Sequence, residues 1–257
     1  MIKGQNIQSI VKGDRVSLYG LPLDLKTNAA YVLDRAHKGW YLLTYLNPYS
    51  YHVEKRNREY FSNMQSFDSV VCDGIGVQTA AKSVFGVITP ILTLDYNGIG
   101  RDYLQQASEG ARSICLVGAE PDVVRKAMQR IVEEYPGIIM ISAYDGFGES
   151  PQEALQYILK DKSDLVLVGM GMGRQEAFLL KLIDAGWRGA GLCVGGFFDK
   201  LANPELEYQP WAEKTRLRFL GRLVREPRRL SRRYFIDYQR FILLFLKNLP
   251  KRKMRLR

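Results

Sequence analysis

Residues 163–196, SDLVLVGMGMGRQEAFLLKLIDAGWRGAGLCVGG, contain the pattern that decides the fold. Two apolar runs of strand length, 164–171 and 190–196, enclose a segment of helical period that ends at Gly186. Glycine is common just past the end of a helix, because it adopts the left-handed conformation there at no steric cost. A strand, a helix and a second strand in this order predict a βαβ unit with parallel strands.

The same alternation extends through the earlier part of the chain. Segment 84–100 fits no single period and is predicted to be a loop-rich insertion. We predict an α/β fold for residues 1–200, with a Rossmann-like, mostly parallel sheet flanked by helices. The other strand candidates are residues 39–46, 69–74, 113–118 and 138–144. The other helix candidates are residues 49–60, a helix capped by Asp122 and a helix capped by Ser150.

Residues 201–257 are predicted to form a second unit, a basic amphipathic C-terminal helical appendage. From Lys200 onward the chain has 17 basic and 5 acidic residues, a net charge of +12, which leaves −2 for the preceding residues. A basic helix with an apolar stripe favours an anionic membrane surface. The apolar run 241–246 is far shorter than the roughly 20 residues that span a bilayer, so we expect peripheral attachment. The stripe comprises Phe219, Leu220, Leu223, Leu230, Tyr234, Phe235, Tyr238, Phe241, Ile242 and Phe245.

Composition leaves two alternatives for this appendage. One is a helix packed on the core with a solvated charged face. The other is binding of nucleic acid, since arginine and aromatic side chains also suit phosphates and bases. We disfavour nucleic acid as a partner because the charge is confined to the apolar-striped tail.

Several other classes of protein are disfavoured by the sequence. Cys72, Cys115 and Cys193 each lie in an apolar run, which favours reduced core thiols and a cytoplasmic compartment. The two histidines, His37 and His52, are too few to form a histidine-based zinc site together with these cysteines. No secretion signal opens the chain. No nucleophile elbow, zincin motif or CxxC motif is present, and no Asp-x-Asp follows a strand. We therefore expect no metal and no cofactor.

Glycine turns follow several predicted strands, at the sheet edge where ligands collect in α/β proteins. Asp73 follows strand 69–72 and precedes a glycine turn, which places a carboxylate at this edge. The alternative is an aspartate that only caps the next helix. Turns at 116–122, 167–176 and 192–200 suit the approach of phosphate to backbone amides, although none is specific by itself.

Taken in order, these motifs resemble the WecG/TagA/CpsF family of glycosyltransferases, glycosyltransferase family 26. The resemblance covers roughly residues 40–235. The motifs that carry it are TYLNPYSY (44–51), DGIGV (73–77), GRDYL (100–104), LVGAEPDVVRKA (116–127), GFG (146–148), SDLVLVGMGMGRQE (163–176), GGFFD (195–199) and RLVREPRRLSRRY (222–234).

The resemblance implies an inverting, metal-independent transfer of a sugar from a UDP-sugar to a polyprenyl-diphosphate-linked saccharide. It implies a peripheral enzyme at the cytoplasmic face of the inner (plasma) membrane, acting in surface polysaccharide biosynthesis such as that of exopolysaccharide. The alternative is a non-catalytic, nucleotide-binding partner subunit that docks another glycosyltransferase at the membrane. The oligomeric state stays open, with a homo-oligomer as one option.

The resemblance also assigns roles to residues. Asp73 matches the catalytic base, and Asn47 matches an asparagine close to the base and the acceptor. The donor-binding positions are Gly118, Gly169, Gly171, Gln175, Glu176, Arg222, Arg229 and Arg232. The acceptor-binding positions are Tyr45, Asn47 and Asn97.

The sequence departs from the family pattern near the expected sugar and acceptor contacts. Tyr45 stands where the family usually has Thr, and Asn97 where it has Arg. Gly173 replaces a Pro, and Arg218-Phe219 replaces Glu-Trp. These departures favour a difference in substrate over a difference in reaction type.

Overall fold

The computed structural model describes residues 14–204 and 236–249. The strands are β1 (Arg15–Leu18), β2 (Leu21–Asp24), β3 (Tyr41–Leu46), β4 (Ser69–Cys72), β5 (Ser113–Gly118), β6 (Met140–Tyr144), β7 (Leu165–Gly169) and β8 (Ala190–Cys193). The helices are α1 (Ala29–His37), α2 (Ser50–Arg56), α3 (Glu59–Gln65), α4 (Ile75–Phe85), α5 (Arg101–Glu109), α6 (Pro121–Glu134), α7 (Ser150–Asp161), α8 (Arg174–Asp184), α9 (Phe197–Ala202) and α10 (Gln239–Lys247). A π-helical turn, Tyr96–Gly100, precedes α5.

Strands β3 to β8 form a six-stranded sheet in the order β4-β3-β8-β7-β5-β6 within the described residues. All of its neighbouring strands are parallel, which confirms the predicted α/β class. Helices α3, α4, α7 and α8 pack on one side, and α1, α5, α6 and α9 on the other. Strands covered on both sides are continuous apolar runs, which is why the sequence located them.

Strands β5 and β7 lie side by side, and the crossovers that follow them leave the sheet in opposite directions. Helix α6 leaves β5 for one side of the sheet, whereas α8 leaves β7 for the other. Ligands of open α/β sheets bind in the crevice at such a switch point. Gly118 and Gly169 end these two strands and pair with each other. A Cβ atom on Gly118 would lie 2.5 Å from the Gly169 carbonyl, so a larger residue would force the strand ends apart.

An N-terminal hairpin, β1–β2, was not expected from the sequence. Its strands have only four residues each, and Pro22 within β2 weakens the strand pattern. Tertiary contacts hold the hairpin in place. Asp24 accepts a hydrogen bond from the Val70 amide at 2.8 Å and forms an ion pair with Arg15 at 2.7 Å.

Several helix boundaries differ from the predictions. The single helix predicted at 49–60 is instead two helices, α2 and α3, because Asn57 between them has an extended backbone. The predicted caps are also wrong. Pro121 starts α6, a position that its fixed φ favours, and Asp122 lies in the first turn. Ser150 is the first residue of α7 and does not cap it.

Two other boundary predictions are confirmed. Gly186 adopts a left-handed conformation with φ of 96° just after α8. Segment 84–100 contains the end of α4 and the π-helical turn, and a bridge from Ile91 to Cys72 joins its middle to the end of β4.

Helix α10 packs against the core beside α2. Phe241 is 6% exposed, and its ring centroid lies 5.4 Å from that of Tyr51. The Arg240 guanidinium binds Glu54 at 2.7 Å. Ile242 is 45% exposed, so it does not share the buried face of the helix that Phe241 occupies. Consecutive residues of a helix lie about 100° apart, and only one of this pair can point at the core.

The predicted boundary at residue 200 falls inside α9, and residues 205–235 lie outside the described ranges. Within residues 14–204 and 236–249, no helix combines the length and the apolarity needed to cross a bilayer.

Candidate active site

Asn47 and Asp73 meet at the carboxyl edge of the sheet. Each follows one of two adjacent parallel strands, β3 and β4, so the two residues emerge at the same edge. Asn47 Nδ2 donates a hydrogen bond to Asp73 Oδ2 at 3.1 Å. Gly74, and not Asp73, is the N-cap residue of α4.

The orientation of the Asn47 amide follows from its other contacts. Its Oδ1 accepts a hydrogen bond from the Tyr49 amide at 2.9 Å, and its own backbone N–H donates to Ser50 Oγ at 3.1 Å. With the amide oxygen engaged, the amide nitrogen is directed at Asp73. Asn47 is buried whereas Asp73 is half-buried. The arrangement holds one carboxylate oxygen in place, and an oriented carboxylate can accept a proton from a bound hydroxyl group.

Three glycine turns lie together at the same edge of the sheet as this pair. Gly118 and Gly169 are paired neighbours, and a Cβ atom on Gly169 would lie 2.8 Å from the Gly195 carbonyl. The Gly171 carbonyl accepts a hydrogen bond from the backbone N–H of Gln175 at 3.1 Å. The structure thus brings together the glycines predicted for donor binding, at the start of α6 and α8, where backbone amides suit an anion.

Glu176 lies beneath the glycine turn of α8 and is fully buried. Its Oε1 accepts hydrogen bonds from Thr44 Oγ1 at 2.7 Å and from Gln175 Nε2 at 3.1 Å. Its Oε2 accepts a hydrogen bond from the Gly173 amide at 2.6 Å. Burial raises the pKa of the Glu176 carboxyl, and the hydrogen bond from Thr44 opposes that rise. These contacts tie the glycine turn before α8 to β3, the strand that leads to Asn47.

Gln175 is also fully buried, and its Oε1 makes no hydrogen bond in the described part of the chain. Gln175 and Glu176 remain predicted donor-site residues. The structure puts both of them under the surface of the crevice.

Tyr45 lies between the Asn47–Asp73 pair and the glycine turns. Its hydroxyl lies against the Gly195 turn, 2.5 Å from where a Cβ atom on that glycine would be. Burial raises the pKa of the Tyr45 hydroxyl, and the nearby Asp73 and Glu176 carboxylates raise it further. Neighbouring residues of a strand point to opposite sides, so Thr44 turns to Glu176 while Tyr45 turns to Gly195.

The structure does not test the remaining predicted residues. Arg222, Arg229 and Arg232 lie outside the described residues. Asn97 belongs to the π-helical turn, but its side chain is not among those described.

The sequence analysis missed two contacts around the crevice. Arg174, the first residue of α8, donates a hydrogen bond to the Gly146 carbonyl and lies 5.9 Å from the centre of the exposed Phe147 ring. An aromatic residue between two glycines after a strand was the available signal. Lys200 and Asp95 form a buried ion pair that ties segment 84–100 to α9, for which the sequence offers no local signal.

Within the described ranges, no group of three or more His, Cys, Asp or Glu side chains is arranged to hold a metal ion.

Comparison with known proteins gives three related results. The model of the glycosyl transferase WecG/TagA/CpsF family matches residues 16–255. The chain is 28% identical over 214 residues to the UDP-Gal:alpha-D-GlcNAc-diphosphoundecaprenol beta-1,4-galactosyltransferase of Shigella boydii, covering 82% of this chain and 88% of that protein. It is 24% identical over 212 residues to the N-acetylglucosaminyldiphosphoundecaprenol N-acetyl-beta-D-mannosaminyltransferase of Bacillus subtilis (strain 168), covering 82% and 81%.

Proposed function

Because the chain belongs to the WecG/TagA/CpsF family of glycosyltransferases, we propose that it transfers a hexose from a UDP-sugar to a saccharide linked to polyprenyl diphosphate. The names of two relatives contain an acceptor in which N-acetylglucosamine is joined to diphosphoundecaprenol, and one names UDP-galactose as donor. The acceptor proposed for this chain is accordingly a GlcNAc-diphosphate-polyprenol. The product enters a surface polysaccharide.

The observation that carries this proposal is the Asn47–Asp73 pair, held at 3.1 Å at the same edge of the sheet as the crevice between β5 and β7. The acceptor hydroxyl transfers its proton to Asp73 as its oxygen bonds to C1 of the donor sugar. The bond from C1 to the UDP oxygen breaks in the same step, and UDP leaves with the electron pair. Attack from the side opposite to UDP inverts the anomeric centre. Asn47 orients the carboxylate for this transfer.

The leaving diphosphate requires positive countercharge. We assign this role to Arg222, Arg229 and Arg232, so that the reaction proceeds without a metal ion. One guanidinium group can donate two parallel hydrogen bonds to two phosphate oxygens, which suits a diphosphate. The return of α10 to the core beside α2 supports the assignment, because it brings the end of the appendage close to Pro48 and Gly76.

Peripheral attachment at the cytoplasmic face of the membrane is part of the proposal. The outward side of α10 exposes Ile242, Leu243 and Leu246, of which the last two are 67% and 56% accessible, and Leu249 just past the helix is exposed as well. Five basic residues follow within 251–257. Apolar side chains backed by basic residues suit the headgroup region of an anionic bilayer.

The test is an assay of the purified full-length protein with a panel of UDP-sugars and a short-chain GlcNAc-diphosphate-lipid. We expect transfer from one UDP-sugar, inversion at C1 as determined by NMR of the product, and full activity in EDTA. Asp73→Asn keeps an oxygen for the Asn47 amide but cannot act as a base, and we expect turnover to fall by about 10²–10⁴-fold. The exposed Asp122→Asn serves as the matched control.

Three results would contradict the proposal. Normal turnover of Asp73→Asn would show that Asp73 is not the catalytic base. Loss of activity in EDTA that Mg²⁺ or Mn²⁺ restores overturns the arginine assignment. Binding of UDP without transfer from any donor favours the non-catalytic partner subunit.

A further inference from the structure

Glu176 joins three parts of the molecule through one carboxylate. Thr44 contacts it from β3, Gly173 from the glycine turn, and Gln175 from α8. All three contacts are donors, and Glu176 is fully buried, so water cannot replace any of them. An ionised carboxylate only accepts hydrogen bonds and has about four acceptor sites on its two oxygens. A glutamate carboxylate therefore fits this position, where three hydrogen-bond donors meet.

The contact with Glu176 determines how the Gln175 amide is oriented. Its Nε2 donates to Glu176 Oε1 at 3.1 Å, which leaves Oε1 as the other polar atom of the amide. This oxygen has no hydrogen-bond partner in the described part of the chain. The Gln175 side chain also makes a hydrogen bond with the Tyr45 hydroxyl that lowers the Tyr45 pKa against the rise caused by burial, as an N–H donated to that hydroxyl does. A buried acceptor without a partner is uncommon in folded proteins and calls for an explanation, such as a role at a functional site.

An amide at position 176 could not replace the carboxylate. Its single oxygen can face either the Thr44 and Gln175 donors or the Gly173 N–H. Its NH2 group would then meet the Gly173 N–H in the first case and the Gln175 NH2 in the second, where the Thr44 hydroxyl can turn to accept from it. The simplest repair is a rotation of the Gln175 amide by 180°, after which Gln175 would present NH2 where it had presented oxygen.

We propose that Glu176 is a positioning residue, whose carboxylate keeps the Gln175 carbonyl oxygen available to the site as a hydrogen-bond acceptor. This rests on the proposed function, in which the glycine turn of α8 binds the donor sugar. An acceptor at this point selects a hydroxyl or N–H donor. Glu176 acts through Gln175 and does not touch substrate.

The test is a double-mutant cycle on the full-length enzyme, with kcat and KM measured for the donor. We expect Glu176→Gln to lower kcat/KM by about 10- to 100-fold, the range seen when a residue that orients a metal ligand in a metalloenzyme is removed. In a Gln175→Ala background the same substitution should change kcat/KM by less than about twofold, because the group it orients is gone. The exposed Glu153→Gln is the control for loss of one carboxylate.

An equal fold-loss in both backgrounds would show that Glu176 only supports the fold, and would overturn the proposal. Absence of an effect in the first background would overturn it as well.

A second measurement needs neither activity nor a variant. Neutron diffraction from deuterium-exchanged crystals distinguishes the Gln175 nitrogen from its oxygen directly. We expect the deuterated nitrogen to face Glu176, and finding the oxygen there would overturn the proposal. This readout stands even if no UDP-sugar is a substrate, so failure of the proposed function and failure of this inference are distinguishable.

Discussion

Gly173 has a backbone conformation, with φ of 87°, that proline cannot adopt. Its N–H donates to Glu176 Oε2 at 2.6 Å, a bond that proline could not form because it lacks the proton. The departure from the family's proline therefore has a local physical effect, which is to supply the third donor to the buried carboxylate. At the scale of single residues, the site consists of side chains whose orientation is set by one or two such bonds, as with Asn47 and Asp73.

A residue-scale prediction concerns the thiols. Cys72, Cys115 and Cys193 are buried and free, which confirms the prediction of core thiols. Burial raises the pKa of the Cys115 thiol to about 12 and also raises the pKa values of the other two. Because the thiolate is the reactive form, the native protein should react very slowly with a disulfide reagent at pH 8.

The measurement is a thiol count with and without guanidinium chloride. We expect three reactive thiols in the unfolded protein. Rapid reaction of even one thiol in the native protein would contradict the packing around that cysteine.

A second residue-scale prediction uses the carboxyl pKa of Glu176, which burial raises above its ordinary value of 4.5. An acid whose pKa is higher in the folded state binds its proton more tightly there, so its ionisation destabilises the fold as pH rises above the unfolded value. The free energy of unfolding of the wild type, relative to that of Glu176→Gln, should therefore be largest at low pH. It should decline as pH rises from about 4.5 through the raised value.

Denaturant unfolding of both proteins across this range measures the difference. A difference that grows with pH would mean that folding lowers the pKa of the Glu176 carboxyl, which would contradict the prediction.

At the scale of elements, α10 shows how one helix can divide its apolar residues between two environments. Phe241 points into the core, against Tyr51, whereas Ile242 and Leu243 are exposed. The helix is nine residues long, which is too short to be stable alone in water. Its order in the protein therefore depends on docking, to which the Arg240–Glu54 ion pair and the Phe241 contact contribute.

The corresponding prediction compares two neighbouring substitutions. Phe241→Ala removes the buried ring and should raise amide hydrogen exchange throughout α10, since truncating a buried Phe typically costs about 3–5 kcal/mol. Ile242→Ala alters an exposed side chain and should leave exchange in α10 unchanged. Hydrogen exchange read by mass spectrometry measures both. Equal protection in the two variants would show that Phe241 does not hold the helix.

At the scale of the whole molecule, charge is segregated along the chain. The residues from Lys200 onward carry a net charge of +12, and the preceding α/β part carries −2. The described end of the appendage lies against α2, next to the strand end that carries Asn47. We infer that membrane binding and catalysis use different parts of the same appendage.

The whole-molecule prediction separates these two uses. Reversing the charges of Lys251, Arg252, Lys253, Arg255 and Arg257 should weaken binding to anionic liposomes by about 1 kcal/mol per lost contact. The effect should be larger at low salt, where screening is least. Turnover of a soluble short-chain acceptor should stay within a few-fold of normal, because the arginines assigned to the diphosphate lie upstream.

The comparison variant is a truncation after Leu201. It should lose both liposome binding and turnover of the soluble acceptor, since the assigned arginines are removed with the anchor. Full soluble activity in this variant would show that the appendage is only an anchor.

The sequence by itself determined the class of fold and the edge of the sheet that carries the site. The spacing of apolar residues and the positions of glycines are local properties of the sequence. They located the strands from β3 to β8 and the turns that follow these strands. They also placed Asn47 and Asp73 at strand ends, where parallel strands bring polar residues together.

Only the tertiary structure decided which of these residues meet and how they are oriented. Thr44 and Glu176 are separated by 132 positions, and their hydrogen bond exists because β3 lies beside β8 in the sheet. The β1–β2 hairpin depends on the distant Val70 amide, and Phe241 faces inward because Tyr51 and Tyr19 form its binding surface. Strand order and the docking of one helix are set by contacts between residues far apart in the chain, which a local pattern does not encode.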